Sequence, residues 1–250
     1  GVGASSGWEA MAGAADEVAA ATDVVGRFYF RASRALVLRA KELRQRPSSE
    51  ECLSTVDVEL DVSRSPDLAG YTAADTLELL PANASGDVAT ALPLFGLAAA
   101  DLRRLLVPCD GVGAAAGANG ARRRKKPFPM PCTLGEALTR YCDLRRPPTR
   151  RMLAAMRPRL GLAVRERIGR LLSNDEAMKI VQDEALGLTQ FEFWSVLIGD
   201  QPDERLDIGA FLLHCPRQRP RPYTIASSPL STPGRIHICA SLVAAAPRTS

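Results

Sequence analysis

The stretch Arg221-Pro-Tyr-Thr-Ile-Ala-Ser-Ser228 carries more information about structure and ligand than any other part of this chain. Its composition predicts an extended strand over residues 221–226. A guanidinium such as that of Arg221 chelates a pyrophosphate through two parallel hydrogen bonds. The ring of Tyr223 can stack on a flat heterocycle, and the hydroxyl of Thr224 can bond a ring nitrogen. These side chains favour a dinucleotide with a flat ring system, such as a flavin dinucleotide.

Other strands are predicted near both ends of the chain. In residues 53–62, valine and leucine alternate with aspartate and glutamate, a pattern typical of a half-buried strand. Shorter runs at residues 35–40 and 76–80 are further candidates. A run at residues 235–243 follows the first stretch, after a Pro-Leu-Ser-Thr-Pro-Gly connection.

The middle of the chain is predicted to be helical. Thr133, with Glu136 three residues later, forms the pattern of a capping box for a helix over residues 133–143. Further helical patterns cover residues 87–106, 149–156, 162–172, 175–185 and 191–198, and an alanine-rich helix is expected at 8–22. Strands at both ends with helices between them indicate an α+β fold.

Composition excludes several classes of function. The chain has 250 residues, of which 46% are hydrophobic and 24% charged, with a net charge of +4 and 5% aromatic residues. This balance favours a soluble protein and gives no indication of nucleic-acid binding. Six cysteines without a Cys-x-x-Cys pair, together with two histidines, predict reduced thiols and no metal site. We expect no membrane span, because no apolar run approaches about 20 residues.

Residues 109–127 are predicted to form a flexible loop. A glycine-rich run at 111–120 precedes the basic run Arg122-Arg-Arg-Lys-Lys126. The basic run is either solvated or docks an acidic protein domain. The glycine strings at 1–7 and 111–117 lack the strand and helix that flank a dinucleotide fingerprint, so both are interpreted as loops.

Four segments, in order, resemble one family. They are Tyr71–Asn83 (Tyr-x-x-Gly-Asp…Pro-x-Asn in the family), residues 126–148, residues 221–228 and residues 236–243. Over residues 27–243 the chain resembles the FAD-binding and connecting region of the NADPH–cytochrome (hemoprotein) reductases, members of the diflavin reductase family.

The resemblance implies an architecture. It is a flattened antiparallel β-barrel, incomplete here, with an inserted helical connecting subdomain. Residues 27–84 and 216–250 would form the two parts of the barrel. Residues 85–215 would form the connecting subdomain, and residues 1–26 a linker or the edge of a preceding domain.

The resemblance also implies the site. Arg221 would bind the pyrophosphate, Tyr223 would stack on the flavin, and Thr224 would lie near its reactive nitrogen. The remaining expected contacts with FAD come from Pro222, Ser227, Cys239 and Ser241. No side chain is expected to act as a catalytic acid or base. FMN and NADPH would bind in a flavodoxin-like domain and an NADPH domain absent from this chain, and a haem protein would accept the electrons.

Departures from the family pattern leave alternatives open. Ala74 replaces the family's glycine, and Phe191 and Glu192 stand where an arginine is expected. The glycine-containing segment expected after residues 236–243 is missing before Ser250, which predicts truncation and an inactive fragment. The alternatives are a sibling reductase for sulfite, methionine synthase or iron–sulfur assembly, or a truncated interaction module without catalysis. The expected location is the cytoplasm, or the cytosolic face of the endoplasmic reticulum through an anchor outside this chain.

Overall fold

The computed structural model describes residues 24–44, 54–68, 70–107, 126–183, 188–199, 201 and 203–242. The chain divides into two compact units. We call the first the helical unit: the described residues up to Arg31 together with Pro81–Arg219. The second, the sheet unit, comprises Ala32–Leu80 and the described residues from Pro220 onward. The helix expected at 8–22 and the basic run at 122–126 lie outside the described residues, except for Lys126.

The helices and strands follow in chain order. The helices are α1 Val24–Arg31, α2 Ser85–Ala91, α3 Leu134–Glu136, α4 Arg150–Met156, α5 Leu162–Leu172, α6 Asp175–Gln182, α7 Gln190–Ile198 and α8 Ile208–His214. The strands are β1 Leu36–Glu42, β2 Ser54–Asp61, β3 Thr76–Leu79, β4 Leu105–Leu106, β5 Cys132–Thr133, β6 Arg221–Thr224 and β7 Arg235–Leu242. This content confirms the α+β class.

The sheet unit consists of strands from both ends of the described chain. β1, β2 and β7 form an antiparallel sheet in that order, and β3 pairs with β6, also antiparallel. An isolated bridge between Ile225 and Ile238 connects the end of β6 to β7. Within the described residues these strands do not close into a barrel, so the barrel remains an expectation.

The core of the sheet unit follows from strand alternation. Leu60 of β2 and Ile236 and Ile238 of β7 are 4% exposed or less, and they share a face because successive side chains on a strand alternate. Tyr71, Leu77 and Ile225 join the same cluster. The opposite face carries acidic residues of β2 such as Asp57 and Glu59. The prediction from alternation over residues 53–62 is therefore confirmed.

Arginine side chains donate hydrogen bonds to the last carbonyls of helices in the helical unit. Arg150 donates to the carbonyl of Leu172 at the end of α5, and Arg167 donates to the carbonyl of Leu197 (3.0 Å) in the last turn of α7. Because the last carbonyls of a helix have no partner within the helix, a guanidinium donor there satisfies them and complements the helix dipole. The unit's fully buried side chains include Trp194, Phe128 and Phe211.

A polar network surrounds Asn83 in the interior of the helical unit. Its amide donates to the carbonyls of Leu138 and Cys142, both at 2.6 Å, and accepts from Gln218 at 2.9 Å. The backbone N–H of Asn83 bonds to the carbonyl of Thr139 at 2.8 Å. These bonds occupy carbonyls that an α-helix would use itself. Accordingly residues Ala137–Tyr141 form a π-helical turn, which the predicted helix over 133–143 did not include.

For the helical unit, one sequence prediction is wrong and one helix was missed. Residues 87–106 do not form one helix: α2 ends at Ala91, short 3₁₀ turns follow, and Gly96 adopts a positive φ of 65°. Pro93 and this glycine explain the interruption. Helix α8 was not predicted, although Asp207 caps it by accepting from the N–H of Ala210. None of the helices in the described part of the chain has the length and apolar character needed to cross a bilayer.

Candidate cofactor-binding site

Strand β6 presents the predicted site residues on two faces. Its register with β3 places Leu77 opposite Tyr223 and Leu79 opposite Arg221. Because side chains two residues apart on a strand share a face, Arg221 and Tyr223 project to the same side. Pro222 and Thr224 project to the other side. The two groups expected to hold the pyrophosphate and the ring system are therefore brought together.

Burial differs between the two groups on that face. The Tyr223 ring is partly buried and packs against the core cluster, which fixes its position. Arg221 is exposed, and its guanidinium makes no hydrogen bond or ion pair with any described residue. A positioned ring beside a guanidinium without a protein partner suits a ligand that is flat at one end and anionic at the other.

The hydroxyl of Ser227 is bonded within the protein. Ser227 is 8% exposed, and its Oγ accepts from the backbone N–H of His237 at 3.0 Å. It also lies 3.3 Å from the Tyr71 hydroxyl, which donates its only proton to the carbonyl of Arg235 at 2.7 Å. Since the tyrosine proton is used there, Ser227 donates to the Tyr71 oxygen. Ser227 thus connects the segment after β6 to β7, and its predicted contact with a cofactor remains a prediction.

Cys239 and Ser241 lie on the polar face of β7. They pair with Asp57 and Thr55 of β2, and both are exposed. Ile238, which precedes Cys239 on β7, shares its face with its bridge partner Ile225, and alternation places Tyr223 on that same face. Cys239 and Ser241 therefore project from the face opposite to Tyr223. A single ligand that contacts all seven predicted side chains has to reach both faces of the sheet.

Charged groups surround Cys239 on the polar face. Arg39 contacts Asp57 at 3.1 Å and Glu59 at 3.4 Å, and Arg235 contacts Glu59 at 2.7 Å. His237 Nδ1 lies 3.3 Å from an oxygen of Asp57. With Asp61 and Lys41 on the same face, three carboxylates stand against two guanidiniums and one ammonium, so this face presents no net negative charge that would repel a phosphate.

The turn Thr72–Asp75 positions the end of β6. It contains Ala74, the residue that departs from the family pattern. The N–H of Asp75 bonds to the carbonyl of Thr72 (3.2 Å), and Ala74 has a φ of 71°. A positive φ at the third position is the signature of a type II turn, where glycine is favoured. Asp75 accepts from the N–H of Thr72 at 2.7 Å. This hydrogen bond from the backbone of Thr72 lowers the pKa of the Asp75 carboxyl below its ordinary value of 3.8.

This turn continues the ladder between β3 and β6. The N–H of Ala74 bonds to the carbonyl of Ile225 (3.1 Å), and the N–H of Ile225 bonds to the carbonyl of Asp75 (2.8 Å). The turn therefore holds the residue that follows Thr224. Sequence reasoning noticed Tyr71 and Asp75 within the Tyr71–Asn83 segment but did not assign them this supporting role. The signal was there: a family glycine before an aspartate is typical of a turn with positive φ.

Comparison with known proteins identifies the family. A family model described as FAD binding domain matches residues 30–249. The chain is 28% identical over 194 residues to the NADPH–cytochrome P450 reductase of Cavia porcellus, a match that covers 74% of this chain and 26% of that protein. The reductases of Sus scrofa and Rattus norvegicus are each 27% identical, with the same coverage. The chain spans about a quarter of the length of these curated relatives.

Proposed function

The chain belongs to the FAD-binding domain family, and from that premise we propose that β6 of the sheet unit holds the FAD of an NADPH-dependent diflavin oxidoreductase. One observation supports this proposal above the others. Arg221 and Tyr223 share a face of β6, and the guanidinium has no partner among the described residues. The family match assigns FAD as the cofactor, and these two side chains have the chemistry to bind it.

Each residue of β6 then has a distinct part in binding. Arg221 donates two hydrogen bonds to the pyrophosphate, and each bond to a charged group contributes about 1.5–3 kcal/mol. Tyr223 stacks on the flavin ring, which contributes about 0.5–1.5 kcal/mol beyond burial. Arg221 is therefore the main anchor. Thr224 offers its hydroxyl to the flavin edge, while Pro222 stiffens the strand between them.

The other predicted residues act at a second position. Cys239 and Ser241 contact the cofactor from the polar face of β7, and Ser227 keeps β7 and the segment after β6 together through its bonds to His237 and Tyr71. In this proposal the sheet unit forms part of a flattened antiparallel barrel, and the helical unit is the connecting subdomain.

The proposed reaction belongs to the longer protein. FAD supplies hydride acceptance from NADPH and single-electron donation to FMN, and a haem protein is the terminal acceptor. The relatives are named as cytochrome P450 reductases, which supports this acceptor class. A flavodoxin-like FMN domain and an NADPH domain are the proposed partners. The cysteines of the described residues are free thiols, which supports a cytosolic setting for this proposal.

Titration of the purified chain with FAD tests the site. Arg221→Ala removes two charged hydrogen bonds of about 1.5 kcal/mol each, so binding should weaken about 100-fold. Arg221→Lys keeps the charge but loses the fork, and should fall between the wild type and Arg221→Ala. Tyr223→Phe keeps the ring and should change affinity little. The change in flavin absorbance and fluorescence gives the affinities.

Arg64 provides the matched control. It is an exposed arginine of the sheet unit in the turn after β2, outside the β3–β6 pair. Arg64→Ala should leave FAD affinity unchanged within about twofold. If Arg64→Ala and Arg221→Ala lose FAD affinity equally, Arg221 contributes only its positive charge. The cofactor then binds elsewhere. Protection of Cys239 from alkylation by bound FAD tests the contact with β7 separately.

A further inference from the structure

Two buried cysteines lie close together in the helical unit. Cys142 directly follows the π-helical turn and is 0% exposed, and Cys215 directly follows α8 and is 3% exposed. Their segments run side by side: Cys142 forms an isolated bridge with Arg217, and the N–H of Asp143 bonds to the carbonyl of Pro216 at 2.7 Å. The Cys215 sulfur lies 4.0 Å from the carbonyl oxygen of Asp143, the residue that follows Cys142, and the two thiols interact with each other.

A buried guanidinium lies against this pair. Arg217 is 8% exposed, and it donates to the carbonyls of Leu212 (2.7 Å) and Leu213 (3.2 Å) at the end of α8. Its other terminal nitrogen lies 3.8 Å from the Cys142 sulfur, and its centre lies 5.2 Å from the centroid of the Phe128 ring. No carboxylate of a described residue contacts this guanidinium. A buried cation requires a compensating negative charge, and the Cys142 sulfur is the group in contact that can supply one.

The two thiols have opposite acidities. The hydrogen bond from Cys215 and the charge of Arg217 lower the pKa of Cys142, against the effect of burial. Burial and the hydrogen bond to Cys142 raise the pKa of Cys215 well above its ordinary value. Cys132 of the same unit provides a contrast, since burial raises its pKa to about 12. The guanidinium against Cys142 favours ionisation of that thiol beside a Cys215 thiol that stays protonated, as in the attacking and resolving partners of an oxidative reaction.

We propose that Cys142 and Cys215 form a site of oxidative modification, at which a small hydroperoxide converts the two thiols to a disulfide. The Cys142 thiolate attacks the peroxide, its O–O bond breaks, and an S–O bond forms. The products are the sulfenic acid of Cys142 and an alkoxide, which takes up the proton that the Cys142 thiol released on ionising and becomes the alcohol. The Cys215 sulfur then attacks the Cys142 sulfur, the S–O bond breaks, and water leaves with the Cys215 proton. Two thiols and one hydroperoxide give a disulfide, an alcohol and water.

The disulfide changes the helical unit in two ways. It replaces the negative charge beside Arg217 with a neutral bond. It also links the two ends of the segment that contains α4 to α8, which restricts the unfolded chain and raises the unfolding temperature. The linked Cys215 lies four residues before the end of the unit at Arg219, close to where the chain continues into β6.

Peptide mapping tests the proposal directly, because each of the six cysteines lies on its own tryptic peptide. Cleavage after lysine and arginine, but not before proline, places Cys142 on residues 141–145, Cys215 on residues 206–217 and Cys132 on residues 126–140. The full chain is treated with graded tert-butyl hydroperoxide, free thiols are alkylated, and the peptides are identified by mass spectrometry. We expect the 141–145 and 206–217 peptides to become linked, in proportion to a rise in the unfolding temperature.

Variants separate the two steps. In Cys215→Ser the linked species should be absent, and a dione that traps sulfenic acids should label Cys142. In Cys132→Ser, the matched control, the linkage should be unchanged. Oxidation of the exposed Cys239 while Cys142 and Cys215 remain thiols at every dose would overturn the proposal, as would linkage that forms only in denaturant. The wild-type map decides the question even if a variant does not fold.

Discussion

Replacing Ala74 by glycine should stabilise this protein, which is unusual for a substitution to glycine. Ala74 has a φ of 71° at the third position of the Thr72–Asp75 turn. The left-handed region costs a residue with a Cβ about 1–2 kcal/mol, and glycine avoids this cost. The greater freedom of glycine in the unfolded chain opposes the gain by about 0.4–1 kcal/mol. The expected net change is a stabilisation of about 0.5–1 kcal/mol.

The neighbouring Ala73 provides the control for this prediction. Both alanines are exposed, so neither substitution removes a buried contact. The second position of a type II turn has a φ near −60°, where glycine has no advantage. Ala73→Gly should therefore destabilise the protein by about 0.4–1 kcal/mol. Two adjacent alanines, given the same substitution, should change stability in opposite directions.

Calorimetry of the full chain measures both effects. For a chain of this size, 1 kcal/mol corresponds to about 2–4 °C in the unfolding temperature. Ala74→Gly should also slow hydrogen exchange at the amide of Ile225, because that amide bonds to the carbonyl of Asp75 at the end of the turn. A loss of stability in Ala74→Gly equal to that in Ala73→Gly would refute the left-handed turn. It would also remove the physical explanation for the family's glycine.

Two further predictions follow from buried and exposed polar contacts. Asn83→Asp keeps the size of the side chain but removes the amide that donates to the carbonyls of Leu138 and Cys142, so it should lower the free energy of unfolding by about 2–4 kcal/mol in denaturant titration; a loss below about 0.5 kcal/mol would contradict the network. The pKa of Asp75 is lowered in the folded state by its bonds to Thr72, so its contribution to stability is present above pH 3.8 and is lost as the pH falls through the folded pKa. Asp75→Asn should therefore flatten the acid limb of the stability curve below about pH 4, and an unchanged limb would show that the bond does not form in solution.

Strand patterns were predictable because a single physical rule determines them. Alternation over residues 53–62 predicted β2, and the capping box of Thr133 and Glu136 is present, with the Thr133 hydroxyl accepting from the N–H of Glu136 at 3.1 Å. The helix expected over residues 87–106 was wrong because Leu and Ala spacing was weighed above Pro93 and Gly96. The π-helical turn was not predictable from its own residues, since it depends on the distant Asn83 and Gln218.

The sequence predicts which site residues share a face within one strand, but not how two strands meet. A spacing of two residues places Arg221 and Tyr223 on one face of any strand, whatever its partners. Whether Cys239 joins them depends on how β6 meets β7, which the Ile225–Ile238 bridge shows. Likewise, Ser227 has the residue type of a ligand contact, but its surroundings bond it to His237 and Tyr71.

One polar network also connects the places where the chain leaves the helical unit. The chain passes between the units after Arg31, Leu80 and Arg219. Within the helical unit, the Tyr29 hydroxyl donates to the carbonyl of Gln218, and the Gln218 amide donates to Asn83. Residues near all three passages are therefore held by one set of buried hydrogen bonds. Gln218 lies one residue before the end of the helical unit at Arg219, so the network holds the chain close to that end. A polar core at this position explains why an asparagine, with both a donor and an acceptor, is needed at residue 83.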